Sequence, residues 1–303
     1  MPYIDKLSAL CREYGCEIKT DEPLKNHTTF RIGGNCRAMV YVNSTESLLA
    51  FLSFLKTENI RYFVLGRGSN VIAADEGFDG VILKIGRDFS EIRLLNETDI
   101  FCTAGASLME VCLFALENSL EGMEFAYGIP GTCGGALFMN AGAYGGEVKD
   151  IIKSAHYVDS FGKICEIQPE EMSLSYRHSL FAEHTDYVIT DMIFSLKKGE
   201  QSDIKAKMDD LMERRRTKQP LEFPSAGSTF KRPEGSYASL LIEQCGLKGL
   251  SVGGAQVSTK HSGFVVNTGG ATCGDVLELT EKVSRIVKEK TGFELELEPL
   301  LLK

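Results

Sequence analysis

Hydrophobic spacing divides the chain into alternating helical and extended runs. From Asp5 to Tyr14, apolar Leu7, Leu10 and Tyr14 recur at helical spacing, and Gly15 marks a stop. The run RAMVYV (Arg37–Val42) predicts a strand. The run from Ser44 to Ile60 predicts a helix opening at Ser44 or Thr45, and RYFVLG (Arg61–Gly66) predicts the next strand. That strand–helix–strand order points to a small α/β lobe. A second lobe comes next, with strands expected at Val81–Ile85, Glu91–Leu95 and Asp99–Gly105. Ser107 and Glu110 stand at capping-box spacing before a helix that runs to Leu120. Further on, residues 154–160, 163–169 and 186–196 alternate like strands.

The pattern changes near residue 197. A charged helix is expected from Asp203, with Ile204, Met208, Leu211 and Met212 on one face, stopping before Pro220. The last helix is expected from Asp275 to Lys290, where Val276, Leu279, Val283 and Ile286 share a face and Gly292 closes it. FELELEPLLL (Phe293–Leu302) reads as a final strand.

Composition narrows the class. A chain of 303 residues, 43% of them hydrophobic, has material for two or three domains with real cores. No run approaches the length of a membrane span, and the N-terminus shows no basic segment followed by an apolar one, so a cytoplasmic protein is expected. Nine scattered cysteines without a CxxC suit reduced thiols rather than disulfides or zinc. The five histidines show no ligand spacing, so no metal is expected. A net charge of −9 argues against nucleic acid and anionic membrane as partners, while leaving room for a local basic pocket. A monomer is expected.

Two glycine clusters carry the chemical signal. GIPGTCGGALFMNAGAYGGE (Gly128–Glu147) has seven glycines in twenty residues, an entropic cost that needs a cause in turn geometry or close approach of another molecule. VLGRGSNVIAADEGFDG (Val64–Gly80) is the second. It is not a dinucleotide fingerprint, because Val71 stands where GxGxxG needs glycine and the residues after it read as β rather than helix. A tight inter-strand turn or an anion nest of backbone N–H groups both fit, with Ser69 and Asn70 adding polar contacts. Two such clusters in neighbouring lobes suit one long pyrophosphate-containing ligand.

Four further places hold candidate chemistry. Arg177 in SYRHS offers a planar fork for carboxylate or phosphate, or is a surface arginine. Ser228 in FPSAGSTFKRP is a candidate proton donor or a turn residue; it lies in no GxSxG elbow, which argues against a hydrolase nucleophile. Lys218 in RRRTKQP suits an anionic substrate or a solvated helix end. Glu294, Glu296 and Glu298 alternate along one expected strand face, and periodicity alone selects none of them.

The ordered set NHTTFRIGG (Asn26–Gly34), LGRGSN, GIPGTCGGALFMNAGAYGGE, YRHS, AGSTFKRP, HSGFVVNTGGATCGDV and LELEP resembles the UDP-N-acetylenolpyruvoylglucosamine reductase family over most of the chain. The short link from Arg177 to DYVIT resembles the branch that lacks a tyrosine-bearing loop. The resemblance implies an α+β protein. A two-lobed FAD-binding domain of the PCMH or vanillyl-alcohol-oxidase type would occupy residues 1–197, in lobes of about 1–86 and 87–197. A smaller α+β substrate-binding domain would occupy 198–303. It implies flavin contacts from Gly66, Gly68, Ser69 and Asn70 in one cluster. In the other it implies contacts from Gly128, Ile129, Pro130, Gly131, Gly134, Gly135, Asn140 and Gly142, the glycines letting backbone amides approach the cofactor. Tyr144, Lys218, Lys231 and His261 match substrate-binding positions, and Arg177, Ser228 and Glu298 match the catalytic ones. After Glu298 this chain has Pro299 and Leu300, where the family commonly has Val-Arg.

The chemistry so implied is reduction of an enolpyruvyl ether on a UDP-sugar. NADPH supplies hydride to noncovalently held FAD, and the vinyl carbon C3 then receives it. Arg177 and Glu298 steady the resulting enolate-like charge, and Ser228 protonates C2. Two other readings stay open. One is a same-fold FAD oxidase with the flavin tethered at a residue such as Cys133. The other is a non-catalytic module for flavin or a nucleotide sugar, for which the Arg177, Ser228 and Glu298 set would have no purpose.

Overall fold

The computed structural model describes residues 2–303. Two compact units divide the chain. Unit 1 takes residues 1–20, 38–67 and 80–213; unit 2 takes 21–37, 68–79 and 214–303. This differs from the linear split at 197/198. Two N-terminal segments, 21–37 and 68–79, belong with the C-terminal third because their apolar side chains complete its core.

Unit 1 is built around helices α1 (Pro2–Glu13) and α2 (Thr45–Thr57) and a five-stranded antiparallel sheet. Ser44 starts α2 by exchanging bonds with Ser47: the Ser47 N–H donates to Ser44 Oγ at 3.1 Å and the Ser44 N–H to Ser47 Oγ at 3.2 Å. Leu48, Phe51, Leu52 and Leu55 form its buried face. Its end is a left-handed Asn59 (φ 53°), with the Ile60 N–H reaching back to Leu55 O at 2.8 Å and the Asn59 N–H to Lys56 O at 3.1 Å.

The five-stranded sheet runs in the order Ile164–Ile167, Ile152–Val158, Val188–Ser195, Asp99–Thr103, Ile92–Leu94, every pair antiparallel. These are the alternating runs expected from sequence. A four-stranded sheet orders Ile18–Pro23, Asn35–Val42, Phe78–Ile85 and Tyr62–Leu65, the last pair parallel.

Helix α3 (Leu108–Glu117) starts where expected, but Ser107 makes no side-chain cap. The expected capping box is absent because the helix start is pinned by backbone: Ser107 bridges Thr132, and the Leu108 N–H donates to Gly131 O at 3.1 Å. Helices α4 (Cys133–Phe138) and α5 (Leu180–Glu183) come next, and α6 (Gln201–Lys218) ends before Pro220 as predicted. On α6, Ile204, Met208 and Leu211 are buried, and the same stripe continues into buried Arg215 rather than Met212.

Unit 2 has its own core. Phe30, Ile32 and Ile72 from the two N-terminal segments pack in one cluster with Ala226, Phe230, Leu241, Ile242, Val257, Val265 and the face of the last helix. After α7 (Ala238–Gln244) comes a three-stranded antiparallel sheet, Ser251–Val252, Ala255–Val257, Val265–Asn267. The last helix, α8 (Cys273–Thr291), is capped by Thr272 and Asp275 and closed by Gly292 (φ 79°). It buries Val276, Leu279, Val283 and Val287, with Ile286 only partly covered. A second cap comes from Asp75, whose Oδ1 and Oδ2 accept the N–H groups of Cys273 (2.7 Å) and Gly274 (2.9 Å).

The expected final strand is shorter than its alternation suggests. Only Leu300–Leu302 pairs, in parallel with Val71–Ala73. Residues 293–299 run irregularly, because the Thr229–Lys231 stretch takes up their backbone groups. Among the described residues no helix is long and apolar enough to cross a membrane.

Candidate active site

In unit 1 the larger glycine cluster forms the start of α4 and the hairpin beyond it. Here the structure revises the expected purpose of several glycines. The Cys133, Gly134 and Gly135 N–H groups are spent inside the protein, on Ala106 O (2.8 Å), Ala104 O (2.9 Å) and Thr132 Oγ1 (3.3 Å). Their amides are therefore not donors for a ligand. A Cβ on Gly134 would stand 2.8 Å from Ala104 Cβ, and one on Gly66 2.5 Å from Thr132 Oγ1. These glycines answer to the protein's own packing. Gly135 differs: it is exposed, and a Cβ there would meet only Thr132 Oγ1, at 3.4 Å. Ahead of α4, Ile129 packs on the core, Pro130 is exposed, and Gly128 holds φ 86°. Among the described residues the N–H groups of Gly128 and Gly131 have no acceptor in the protein. Both amides remain available to an anion.

Sequence reasoning overlooked Lys84, a lysine inside the apolar run VILKI. Its Nζ donates to Gly66 O at 2.5 Å. Burial, with the Arg67 charge beside it, pushes its pKa down to about 8.

Gly142–Ala143 and Gly146–Glu147 pair across the two-residue turn Tyr144–Gly145, in which both residues have positive φ (54° and 91°). Tyr144 is an exposed tyrosine held in the left-handed region. Arg177 is also left-handed (φ 55°), in a turn closed by Ser175 and His178, whose N–H and C=O groups exchange bonds at 3.2 Å. Its Nη2 donates to Gly142 O at 3.3 Å. Bulky residues rarely adopt this backbone, and such strain gathers at functional sites. Asn140 is 0% exposed, so it offers a ligand no surface, contrary to its expected flavin contact.

Cys133 is completely buried and its thiol is hydrogen-bonded to Cys102. That bond, then burial, pushes its pKa well up, which removes it as an attachment point for a cofactor.

In unit 2 the structure joins three expected residues. Phe230 bridges Leu297, the Glu298 N–H donates to Thr229 O at 3.0 Å, and the Lys231 N–H donates to Glu296 O at 2.8 Å. Ser228 and Glu298 are thereby carried on two paired segments. Asn70 joins them: its Nδ2 donates to Glu298 O at 3.4 Å and its C=O accepts the Leu300 N–H at 2.9 Å. Ser228 is half-buried, comes after left-handed Gly227 (φ 77°), and its hydroxyl has no hydrogen-bond partner among the described residues. Glu298 keeps its Oε2 buried, whereas Glu294 and Glu296 are exposed and paired with Lys288 and Lys231, each at 2.5 Å. The glutamate that periodicity could not select is thus set apart by burial.

Gly68 (φ 68°) lies so close to the His27 carbonyl that no side chain fits. Its N–H and that of Ser69 lack acceptors among the described residues, as a nest requires. Lys218 is at the end of α6 and exposed. His261 accepts the Gly263 N–H on Nδ1 at 3.2 Å, and burial, with Lys248 and Lys218 adding to it, holds its pKa below the ordinary imidazole value.

Residues 36–168 match the family described as FAD binding domain, and residues 219–302 match that of UDP-N-acetylenolpyruvoylglucosamine reductase, C-terminal domain. A UDP-N-acetylenolpyruvoylglucosamine reductase of Caldanaerobacter subterraneus is 45% identical over 96% of this chain and 95% of its own length. One from Clostridioides difficile is 45% identical over 99% and 97%. The crystal structure of the reductase from Thermus caldophilus superposes with a TM-score of 0.80 at 32% identity, covering 95% of this chain and 99% of that one. The architecture is the two-domain α+β one of that structure, an FAD-binding domain and a smaller C-terminal domain. The chain belongs to the UDP-N-acetylenolpyruvoylglucosamine reductase family.

Proposed function

We propose that the protein is an FAD-dependent oxidoreductase of the cytoplasm, acting as a monomer. It would use NADPH to reduce the enolpyruvyl ether of UDP-N-acetylglucosamine to UDP-N-acetylmuramate, a peptidoglycan precursor. The observation that carries this reading is the pairing in unit 2 that sets an unengaged Ser228 hydroxyl on a strand-like segment beside the Glu298 segment.

The residues present suit the cofactor. In unit 2 the acceptor-free N–H groups of Gly68 and Ser69 suit a phosphate of the cofactor held without a covalent link, and in unit 1 those of Gly128 and Gly131 offer the same chemistry. Bound there, FAD would supply the hydride, drawn from NADPH, that C3 of the substrate's vinyl group gains. The charge and the proton fall to the chain's own residues. As C3 gains its hydrogen, the π electrons move through C2 toward the carboxylate. The Arg177 fork neutralises that charge through paired donors. Glu298 orients the group or, protonated, donates to it, because a bare carboxylate would oppose the charge. Ser228 gives C2 its proton, and water or Lys231 replaces it. Tyr144, Lys218 and His261 bind the sugar nucleotide.

The test separates the two half-reactions. The purified protein should be yellow, should release its flavin on acid treatment, and should consume NADPH in proportion to added enolpyruvyl sugar nucleotide. Arg177→Lys keeps the charge but loses the fork, so it should slow reoxidation by the substrate and spare reduction by NADPH. Substrate-independent NADPH consumption, or reoxidation of Arg177→Lys at the parent rate, would overturn the assignment.

A further inference from the structure

Of the eight non-glycine residues with positive φ among the described residues, three lie in one hydrogen-bonded knot of unit 1: Asn140 (φ 41°), Tyr144 (φ 54°) and Arg177 (φ 55°). Asn140 is at its centre. Its Nδ2 donates to Glu147 Oε2 at 2.7 Å and to Ser175 O at 2.9 Å, while its Oδ1 accepts the Lys149 N–H at 2.9 Å. Both amide hydrogens and the carbonyl are engaged. Glu147 lies opposite Gly142 in the hairpin, and Gly142 O receives Arg177 Nη2 at 3.3 Å. Ser175 is the first residue of the turn that carries Arg177. The links therefore close a ring: Asn140 to Ser175, along the chain to Arg177, across to Gly142, over the hairpin to Glu147, and back to Asn140.

Only an amide satisfies this centre. Aspartate would set a carboxylate against Glu147 and the Ser175 carbonyl at a fully buried position, and leucine would take the acceptor from the Lys149 N–H and a donor from both Glu147 Oε2 and Ser175 O. A strained turn such as that of Arg177 holds only where its surroundings over-determine it. We propose that Asn140 is a positioning residue, fixing the Arg177 guanidinium through the Ser175 carbonyl and the Glu147 hairpin. This inference rests on Arg177 serving the reducing site.

The experiment is a double-mutant cycle on the flavin-loaded enzyme, with the half-reactions measured separately. Releasing Arg177 by an ångström or so should slow reoxidation by the enolpyruvyl sugar nucleotide by about 10²-fold in Asn140→Ser, because misplacement on that scale costs that much. Reduction by NADPH and flavin occupancy should stay at parent values. Adding Asn140→Ser to Arg177→Ala should cost little more, since the positioned group is already gone. Glu147→Gln, which weakens the same ring with little change in volume, should show a smaller loss in the same half-reaction and serves if Asn140→Ser does not fold. Equal losses from Asn140→Ser in the presence and absence of Arg177, or equal slowing of both half-reactions, would overturn the inference and leave Asn140 a brace of the fold. If Glu147→Gln is the only folded variant, parent reoxidation there overturns it. Parent reoxidation in Arg177→Ala alone would instead overturn the catalytic assignment of Arg177.

Discussion

Adjacent glycines in α4 should respond in opposite ways to the same methyl group. At Gly134 the new Cβ would stand 2.8 Å from Ala104 Cβ and 3.2 Å from Ala104 O, where carbon atoms need about 3.5–4.0 Å. Overpacking of that kind costs about 1–3 kcal/mol. Relief by moving α4 away would strain the Gly134 N–H to Ala104 O bond, adding about 1 kcal/mol. With the gain of up to about 1 kcal/mol for alanine over glycine in a helix set against these costs, Gly134→Ala should lose about 1–4 kcal/mol, whether or not flavin is present. At Gly135 the Cβ would face only Thr132 Oγ1 at 3.4 Å. Replacing a helical glycine with alanine gains up to about 1 kcal/mol. Gly135→Ala should keep or raise the melting temperature of the flavin-free protein. Because its exposed face is an expected flavin contact, the same change should lower flavin occupancy. Melting curves of flavin-free protein and the flavin absorbance per chain read both effects. A parent-like melting temperature for Gly134→Ala would refute the packing argument. Full flavin occupancy in Gly135→Ala would remove that residue from the cofactor site.

Two further outcomes are expected. Ser228→Ala should retain flavin and its reduction by NADPH but turn over about 10²–10⁴-fold more slowly, the usual worth of a general acid, and should exchange solvent deuterium into C3 of recovered substrate; turnover within about twofold of the parent would sink the acid role, since it lies far below that range. Lys84, pushed down to about 8 from the usual 10.5, makes stability rise with pH between those values, where the unfolded chain binds a proton that the folded chain has lost; Lys84→Met should flatten that rise in melting curves taken across the window, and an unchanged slope would contradict it.

What the sequence made legible was local. The Val188–Ser195 alternation, the Ser44 start and the Gly292 stop each act within a few residues, and each appears in the structure as expected. The turn expected around Ser228 is present, with Gly227 at φ 77°. What stayed hidden depends on partners far along the chain. Asp75 caps a helix nearly two hundred positions away, and nothing near it marks that role. The Ser107–Glu110 spacing was right for a capping box, yet the Gly131 carbonyl took its place. The alternating glutamates suggested a strand that residues 293–299 do not form. Among the glycines, sequence supplied the density but not the cause, and at Gly66, Gly68 and Gly134 the cause is a protein neighbour.

The threading of residues 21–37 and 68–79 into unit 2 has a consequence for synthesis. Phe30, Ile32 and Ile72 leave the ribosome long before Leu241, Val265 and Val283 exist to cover them. At about 5–20 residues per second, the gap is on the order of 10–40 s. Val71–Ala73 waits longer still, for Leu300–Leu302. During that interval the nascent chain carries an uncovered apolar segment and an unpaired strand edge, both ready substrates for a chaperone or for misassociation. Unit 2 is therefore a late, high-contact-order product of translation, and a fragment that begins at residue 198 lacks the pieces needed to finish it.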